Sequence, residues 1–508
     1  MNHCEETWNN EFDDYLHDES RQTGSARSIS FPKTEQEVIS AVREAAGCGS
    51  TITIQGARTG ITAGAVPYGG HILNLSRMNV VRDVSLDAET GMNLLSVQPG
   101  ALLTDIRKAL DGTGWFFPPD PTEASASIGG MVSCNASGAM TLLYGPTRDW
   151  IEGLNAVLAD GSIIRMKRGA CMASGRRFNL HTDDGTGITG TLPDYVMPDV
   201  KSAAGYYSMP GMDMIDLLIG MEGTLGIITE IVLRLSPKPS HTAGLMLFAP
   251  AEDIAVQLVR FLRGERTGIF DEFTGRPAAI EFFNHDALDL LRRMKGENPA
   301  FAGIPHLQPH FHTALYMEFH ASSEDEIDES VMQVMEAMTS LGVSDEDTWY
   351  AGNERELETH KSFRHAIPEA VNLLIGDRKR TNPELTKLGT DMSVPNEILG
   401  DTIGMYNDGL AEAGLESVIF GHIGNNHLHV NILPRNMDEY TAGKQLYLDW
   451  AKRIVDAGGS ISAEHGIGKL KTAFLELMYG RNGIAQMIAI KDLFDPGHIL
   501  NRGNLFNL

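Results

Sequence analysis

Three histidines carry the clearest chemical potential in this 508-residue chain: His422, His427 and His429, in the stretch Gly421-His422-Ile423-Gly424-Asn425-Asn426-His427-Leu428-His429-Val430-Asn431. The apolar run Val418-Ile419-Phe420 precedes it, and after Asn426 the apolar Leu428, Val430 and Ile432 alternate with His427, His429 and Asn431. A period of two marks a strand with one buried apolar face and one polar face. Asn425-Asn426 tolerate the positive φ of a two-residue turn, which predicts a hairpin pairing 424 with 427, 423 with 428 and His422 with His429. Opposed in that way, the two imidazoles have Cβ atoms roughly 5 Å apart and can share a divalent metal. One histidine is more often a hydrogen-bonded core residue; three on one face of a hairpin are harder to explain so. Further on, Ser462-Ala463-Glu464-His465-Gly466-Ile467-Gly468 sets a carboxylate beside an imidazole in a glycine-rich turn. That pair reads either as capping of the helix that Lys469 and Lys471 begin, or as chemistry.

The elements that must position these groups follow from pattern and composition. The chain is long enough for two or three domains, and 42% hydrophobic with 21% charged residues is the make-up of a soluble globular protein. A formal charge of −26 argues against nucleic acid or an anionic membrane as the main partner, while a small anion held by a local arginine stays compatible with it. Cys4, Cys48, Cys134 and Cys171 are scattered, with no CxxC pair, so neither a disulfide framework nor an iron–sulfur cluster is indicated. Residues 1–20 are rich in Asp and Glu, unlike a leader, and no apolar run approaches a membrane span; the expected location is the cytoplasm, free or peripheral to the inner face of a membrane.

Val38, Ile39, Val42 and Ala45-Ala46 predict an amphipathic helix ending near Gly47 and Gly49, followed by a buried strand at Thr51-Ile52-Thr53-Ile54. Gly56-Ala57-Arg58-Thr59-Gly60-Ile61-Thr62-Ala63-Gly64 then places glycines at every fourth position. It is not the dinucleotide GxGxxG fingerprint, but a glycine-rich turn after a strand presents N–H groups to a pyrophosphate. Pro118-Pro119-Asp120-Pro121, Ser125-Ala126-Ser127-Ile128-Gly129-Gly130, Asn135-Ala136-Ser137-Gly138 and Tyr144-Gly145-Pro146-Thr147-Arg148-Asp149 form a second run of small and stiff residues, suited to lying flat against a large planar ligand. Gly220-Met221-Glu222-Gly223-Thr224-Leu225-Gly226-Ile227-Ile228-Thr229 forms a third cluster, leading into a strand that ends near Leu235. Residues 169–200 read as a polar, exposed insertion loop. After Pro237-Lys238-Pro239, strands and helices alternate: Leu245–Phe248, Ile254–Leu262, Ala279–Phe283, Leu288–Met294, Ala314–Phe319 and an acidic helix over Ser323–Leu341. Tyr440–Ala457 reads as a further helix.

The series GARTGITAGAVP, PPDPTEASASIGG, CNASG, YGPTRD and GMEGTLGIIT resembles the flavin-binding half of the vanillyl-alcohol oxidase/p-cresol methylhydroxylase superfamily. GHIGNNHLHVN, AEHGIG and FDPGHILNRG resemble its FAD-linked D-2-hydroxyacid dehydrogenase branch, which includes D-lactate dehydrogenase, the glycolate oxidase flavoprotein subunit and D-2-hydroxyglutarate dehydrogenase. The resemblance implies an α+β fold: a two-part FAD-binding domain of the p-cresol methylhydroxylase type (1–238), an α+β substrate cap (239–435) and a C-terminal segment (436–508) returning to the flavin. It implies FAD bound non-covalently, since Thr59 stands where tethering relatives have a histidine, with contacts from Gly56, Ala57, Arg58, Thr59, Gly64, Pro118, Ser125, Gly129, Gly130, Asn135, Gly138, Glu222, Gly223, Gly226, Ile228 and Asn501. Gly56-Ala57-Arg58 departs from the family's three glycines, Pro368 stands where a hydroxyl residue is usual, and Asn501-Arg502-Gly503 replaces Asn-Pro-Gly.

The same resemblance assigns His422, His429 and Glu464 to a divalent metal, zinc or alternatively manganese. It makes Arg364 the clamp on the substrate carboxylate, Asn431 its helper and His465 the base, with Lys387 and Thr390 as weaker candidates. His427, in place of the family's GDGN turn, is an extra imidazole without an assigned role. The implied activity is FAD-dependent oxidation of a small D-2-hydroxy acid to the 2-oxo acid, the electrons passing to a quinone, a cytochrome or an electron-transfer protein, in a monomer or homodimer. A metal-dependent hydrolase using the His/His/Glu site, and a flavin-binding module without turnover, are the alternatives. The first leaves three glycine-rich loops idle; the second leaves His465 without a role.

Overall fold

The computed structural model describes residues 6–7, 9–265 and 272–507; Cys4 lies outside them. Among the described residues the chain builds a mixed α+β molecule on three main sheets, with two further two-stranded pairs. In the first, Ser28–Ser30 and Ile52–Gln55 flank His71–Asn74 as parallel strands. The helix Glu35–Cys48 links the outer two and buries Val38, Ile39, Val42 and Ala45. Thr34 caps its start by accepting the Glu37 N–H at 3.2 Å, and Gly49 ends it in the left-handed conformation at φ 64°. The far end of the chain closes this sheet. Leu500 bridges Ile52 in parallel, and Asn501 Oδ1 accepts the Ile54 N–H at 2.7 Å.

The second sheet is antiparallel, in the order Val81–Leu86, Asn93–Val97, Ile227–Arg234, Ile151–Val157, Ile163–Lys167. Its central strand, Ile227–Arg234, directly follows the third glycine cluster, so that cluster is held at the edge of a rigid element. Residues 169–200, expected as an exposed loop, instead contain a five-pair hairpin, Arg177–His181 with Gly187–Thr191. Phe178, Leu180, Ile188, Leu192 and Tyr195 are buried in the core. The short alternation Arg177-Phe178-Asn179-Leu180-His181 is the signal that the polar surroundings conceal.

The third sheet is antiparallel throughout, running Thr348–Ala351, His241–Ala249, Thr313–Ala321, Pro277–Phe283, Ser417–Gly421, His427–Ile432, Leu388–Gly389, with Met392–Ser393 also paired to His427–Ile432. The helices Glu252–Leu262, His285–Glu297, Glu324–Ser340 and Glu354–Lys379 cover it. The histidine hairpin is thus interior to a broad sheet. Its connection is longer than two residues: a single tight turn at Ile423–Asn425 intervenes, and only Asn426 takes a positive φ, 53°. His429 consequently faces Phe420 rather than His422. No helix among the described residues is long and apolar enough to cross a membrane.

Candidate active site

The glycine clusters converge on one cleft. Gly56, Ala57, Arg58, Thr59, Gly64, Gly129, Gly130, Gly138, Glu222, Gly223, Gly226, Ile228 and Asn501 line it, together with His422, Glu464 and His465. The N–H groups of Thr59, Gly60 and Ile61 have no protein acceptor among the described residues, as a pyrophosphate-binding turn requires. A Cβ at Gly56 would meet Ser127 Oγ and force that side chain to move, and the same hydroxyl accepts the Ala57 N–H at 3.3 Å. Arg58 is left-handed at φ 63°, and its side chain turns away to pack over the Tyr15 ring at 4.4 Å. A non-glycine residue is therefore held in a glycine conformation by the N-terminal segment. The cradle and its open donors fit a dinucleotide of FAD's kind.

Pro118, Ser125 and Asn135 do not line the cleft. Pro118 is buried, Ser125 is turned to its neighbour Glu123, and Asn135 Oδ1 accepts the Arg148 N–H at 2.9 Å inside the protein. Ser127, two residues beyond Ser125, takes the place at the cleft wall.

The donor atoms of His422, His427, His429 and Glu464 all lie within 4.8 Å of one another. His422 Nδ1 stands 2.7 Å from Glu281 Oε1, leaving Nε2 to face Glu464 Oε2 at 3.4 Å. His429 Nδ1 stands 3.0 Å from the Thr390 carbonyl, leaving Nε2 to face Glu464 Oε1 at 3.3 Å. Each imidazole thus gives one N–H to an outer acceptor and turns its other nitrogen inward, the arrangement that leaves a metal-ligating lone pair there once that nitrogen is free of a proton. The inward separations are long for charge-assisted hydrogen bonds, but match the edge of about 3.3–3.4 Å that tetrahedral ligands have around zinc. The donors therefore fit a divalent ion. Burial opposes charging of His422, yet Glu281 and Glu464 outweigh it and push its pKa up to about 9; an ion at Nε2 would have to displace that proton.

His465 is set differently. Its Nδ1 lies 3.2 Å from Asp391 Oδ2, its Nε2 lies 3.5 Å from Glu464 Oε1, and the ring is 29% exposed where the histidines of the cluster are shielded. Asp391 is the hub of this arrangement, and no motif in the sequence marks it. It accepts Ser462 Oγ at 2.7 Å, Lys471 Nζ at 2.6 Å and the His465 N–H at 3.2 Å, and it meets His427 Nε2 at 3.0 Å, off the hydrogen-bond line. Burial disfavours its charge, but His465 and Lys471 hold it well below the carboxylate range. Lys201 lies in no motif of the sequence. Its ammonium reaches Glu464 Oε2 at 2.7 Å and His427 Nδ1 at 3.2 Å.

Arg364 lies on the helix Glu354–Lys379, four residues before Pro368. The proline has no N–H to bond the Arg364 carbonyl, so the helix is weakened at the arginine. Its guanidinium rests over the Tyr316 ring at 5.3 Å and 3.7 Å from Glu281, the carboxylate that also holds His422. Asn431 follows His427 and His429 on the same strand face, with Gly389 opposite. Thr390 holds the strand by accepting the Val430 N–H at 3.0 Å, and Lys387 is partly buried, which lowers its pKa.

Comparison with known proteins matches residues 26–167 to an FAD binding domain and residues 238–505 to the C-terminal domain of FAD linked oxidases. The chain is 30% identical to glycolate oxidase subunit GlcD of Bacillus subtilis, covering 90% of this chain and 83% of that protein. It is 27% identical to a D-lactate dehydrogenase of Anaerostipes hadrus (97% and 92% covered) and 29% identical to a D-2-hydroxyglutarate dehydrogenase of Xanthomonas citri (96% and 90%). Among solved structures, an alkyldihydroxyacetonephosphate synthase shares the fold, with a TM-score of 0.61 at 16% identity over 95% of this chain and 76% of that one. Both matched domains are flavin-linked, which leaves the hydrolase alternative without support.

Proposed function

The chain belongs to the FAD-linked oxidases, and from that premise we propose that this oxidoreductase converts a small D-2-hydroxy acid to the 2-oxo acid. The observation that carries the reading is that His465, His422 and Glu464 line the same cleft as the glycine clusters, with His429 grouped on His422 and Glu464. Residues 1–238 form the flavin half, 239–435 the cap and 436–508 the segment that returns to the flavin. FAD bound along Gly56–Thr59, Gly129-Gly130 and Gly223 supplies the hydride acceptor, and a divalent ion, zinc or manganese, held by His422, His429 and Glu464 supplies a Lewis acid for the substrate hydroxyl. Arg364 offers a planar fork to the substrate carboxylate, with Asn431 beside it. His465 takes the hydroxyl proton at Nε2, because Asp391 fixes Nδ1 as the protonated nitrogen and stabilises the imidazolium that forms. Ser137 Oγ, 3.3 Å from Glu464 Oε2, ties this carboxylate to the flavin half.

The experiment pairs a substrate screen (D-lactate, glycolate, D-2-hydroxyglutarate and D-malate with an artificial dye acceptor) with elemental analysis of alanine variants. Loss of metal and turnover with FAD retained is expected for His422, His429 and Glu464. The His465 variant keeps FAD and metal and loses on the order of 10²–10⁴-fold in rate. Full activity after complete chelation, or metal lost equally from the His465 variant, contradicts these roles.

A further inference from the structure

His427 is oriented as its two neighbours are, but its outer nitrogen, Nε2, is buried without a hydrogen-bond partner although Asp391 Oδ1 stands 3.0 Å away. Its ring is fully buried; Nε2 is turned to an outer carboxylate, Asp391, and Nδ1 is turned inward, 3.8 Å from Glu464 Oε2. The rings of His427 and His429 have centroids 4.4 Å apart, so the two side chains face one centre. What stands at His427 Nδ1 is the Lys201 ammonium, which contacts Glu464 as well. The side chain of Lys201 is 5% exposed, so this ammonium is a committed internal cation rather than a stray surface charge.

We infer that His427 is a fourth donor to the ion held by His422, His429 and Glu464, and that Lys201 is a built-in cation competing with that ion for Glu464 and His427. The inference rests on the metal reading above and adds two residues to it. A cluster of three imidazoles around one carboxylate is costly to leave without a positive charge, because the buried carboxylate needs a partner. Lys201 supplies that charge from a flexible stem anchored in the flavin half, and its protons take the lone pairs that a metal would use. An ion that enters must move the ammonium aside and then shares the centre with a like charge. Lys201 therefore makes the site exchangeable, while His427 supplies the donor that compensates. Neither role is open to a three-donor site.

The test uses the purified FAD-loaded protein, stripped of metal by chelation and titrated with Zn²⁺ against a chromogenic chelator and with Co²⁺, whose ligand-field absorption is read beyond the flavin bands. In His427→Asn, zinc affinity falls at least about tenfold and the Co²⁺ spectrum changes in position and intensity. Lys201→Met tightens zinc about tenfold or more with the Co²⁺ spectrum preserved, since a neutral stem removes the repulsion and leaves the donors unchanged. His427→Gln repeats the first measurement in a side chain closer in volume, and flavin content with thermal melting verifies folding. Unchanged affinity and spectrum in both His427 variants overturn the fourth donor; unchanged or weaker zinc binding in Lys201→Met overturns the competitor. Failure of the wild type to bind either ion overturns the metal reading itself, a distinct result.

Discussion

Asp391→Asn is the most informative single change. Asp391 is 1% exposed, and its Oδ2 lies 3.2 Å from His465 Nδ1 and 2.6 Å from Lys471 Nζ. When His465 takes a proton, the imidazolium sits beside that carboxylate; at an effective dielectric of 20 their attraction is about 5 kcal/mol. Part of it is already committed, because Lys471 shares the same oxygen. The surviving contribution is that of a hydrogen bond to a charged group, about 1.5–3 kcal/mol, or about ten- to a hundredfold in kcat. Asparagine keeps the shape and removes the charge. The expected result is a fall in kcat of that size, with KM, FAD content and metal content near wild type. The assay is dye-linked turnover at saturating hydroxy acid. Removing the charge also leaves Lys471 without its counter-ion, so Asp391→Asn/Lys471→Met is measured beside it. If an unpaired lysine caused the loss, the double variant recovers; if Asp391 orients His465, it does not. A kcat within about twofold of wild type in a variant that retains FAD and metal refutes the reasoning.

Three further outcomes are expected. Arg364→Lys keeps the charge beside Glu281 but loses the bidentate fork; kcat/KM falls about ten- to a hundredfold with flavin content intact, and unchanged kinetics across all tested hydroxy acids would place the carboxylate elsewhere. Acid precipitation releases all the yellow colour to the supernatant, since Thr59 offers no tethering nitrogen; colour in the pellet contradicts this. His71, with Nδ1 and Nε2 each 2.8 Å from Ser28 and Ser30 hydroxyls, is pushed down by burial to about 4. The unfolded chain then binds the extra proton between about pH 4 and 6.5, so this contribution, at most about 3 kcal/mol, is full above pH 6.5 and is lost as pH falls. His71→Gln should flatten the urea-unfolding stability over that window, and an unaltered pH slope would show that His71 does not set it.

Much of the site was legible because it lies on regular elements. The histidine strand was readable from its period of two, and it survived a wrong turn for a physical reason. The real connection is two residues longer than the Asn-Asn turn that the sequence favours, and a shift of two leaves every side chain on its original face. The glycine clusters were readable because a backbone that approaches a ligand must shed its Cβ atoms. Lys201 and Asp391 were not, since each is one ordinary charged residue whose meaning depends on contacts with residues 263 and 74 positions away. The run Ser125-Ala126-Ser127 does not say which hydroxyl faces the cleft, and it is Ser127 that does. The 169–200 hairpin was missed because its apolar alternation is only five residues long and is flanked by polar turns.

If His465 is the base proposed above, the turn Ser462–Gly468 shows what holds it in place. From the flavin half, Glu222 accepts the Ile467 and Gly468 N–H groups, each at 2.6 Å. Burial pushes Glu222 up to about 7 against the pull of those two amides. Glu222 also blocks any Cβ at Gly466, which sits at φ 75°. From the cap side, Asp391 accepts the Glu464 and His465 N–H groups, and Ser462 Oγ bridges Asp391 to the Gly466 carbonyl at 2.7 Å. The C-terminal segment carries the turn itself, and Asn501 and Asn504 return to the Glu222 carbonyl at 2.8 and 3.2 Å. The turn that carries His465 is thus held by two buried carboxylates, Asp391 at Glu464 and His465 and Glu222 at Ile467 and Gly468. A displacement of either half relative to the other strains these amide bonds before it moves the imidazole, so the base stays in register with a cleft that the cap does not build and with a histidine cluster that the flavin half does not build.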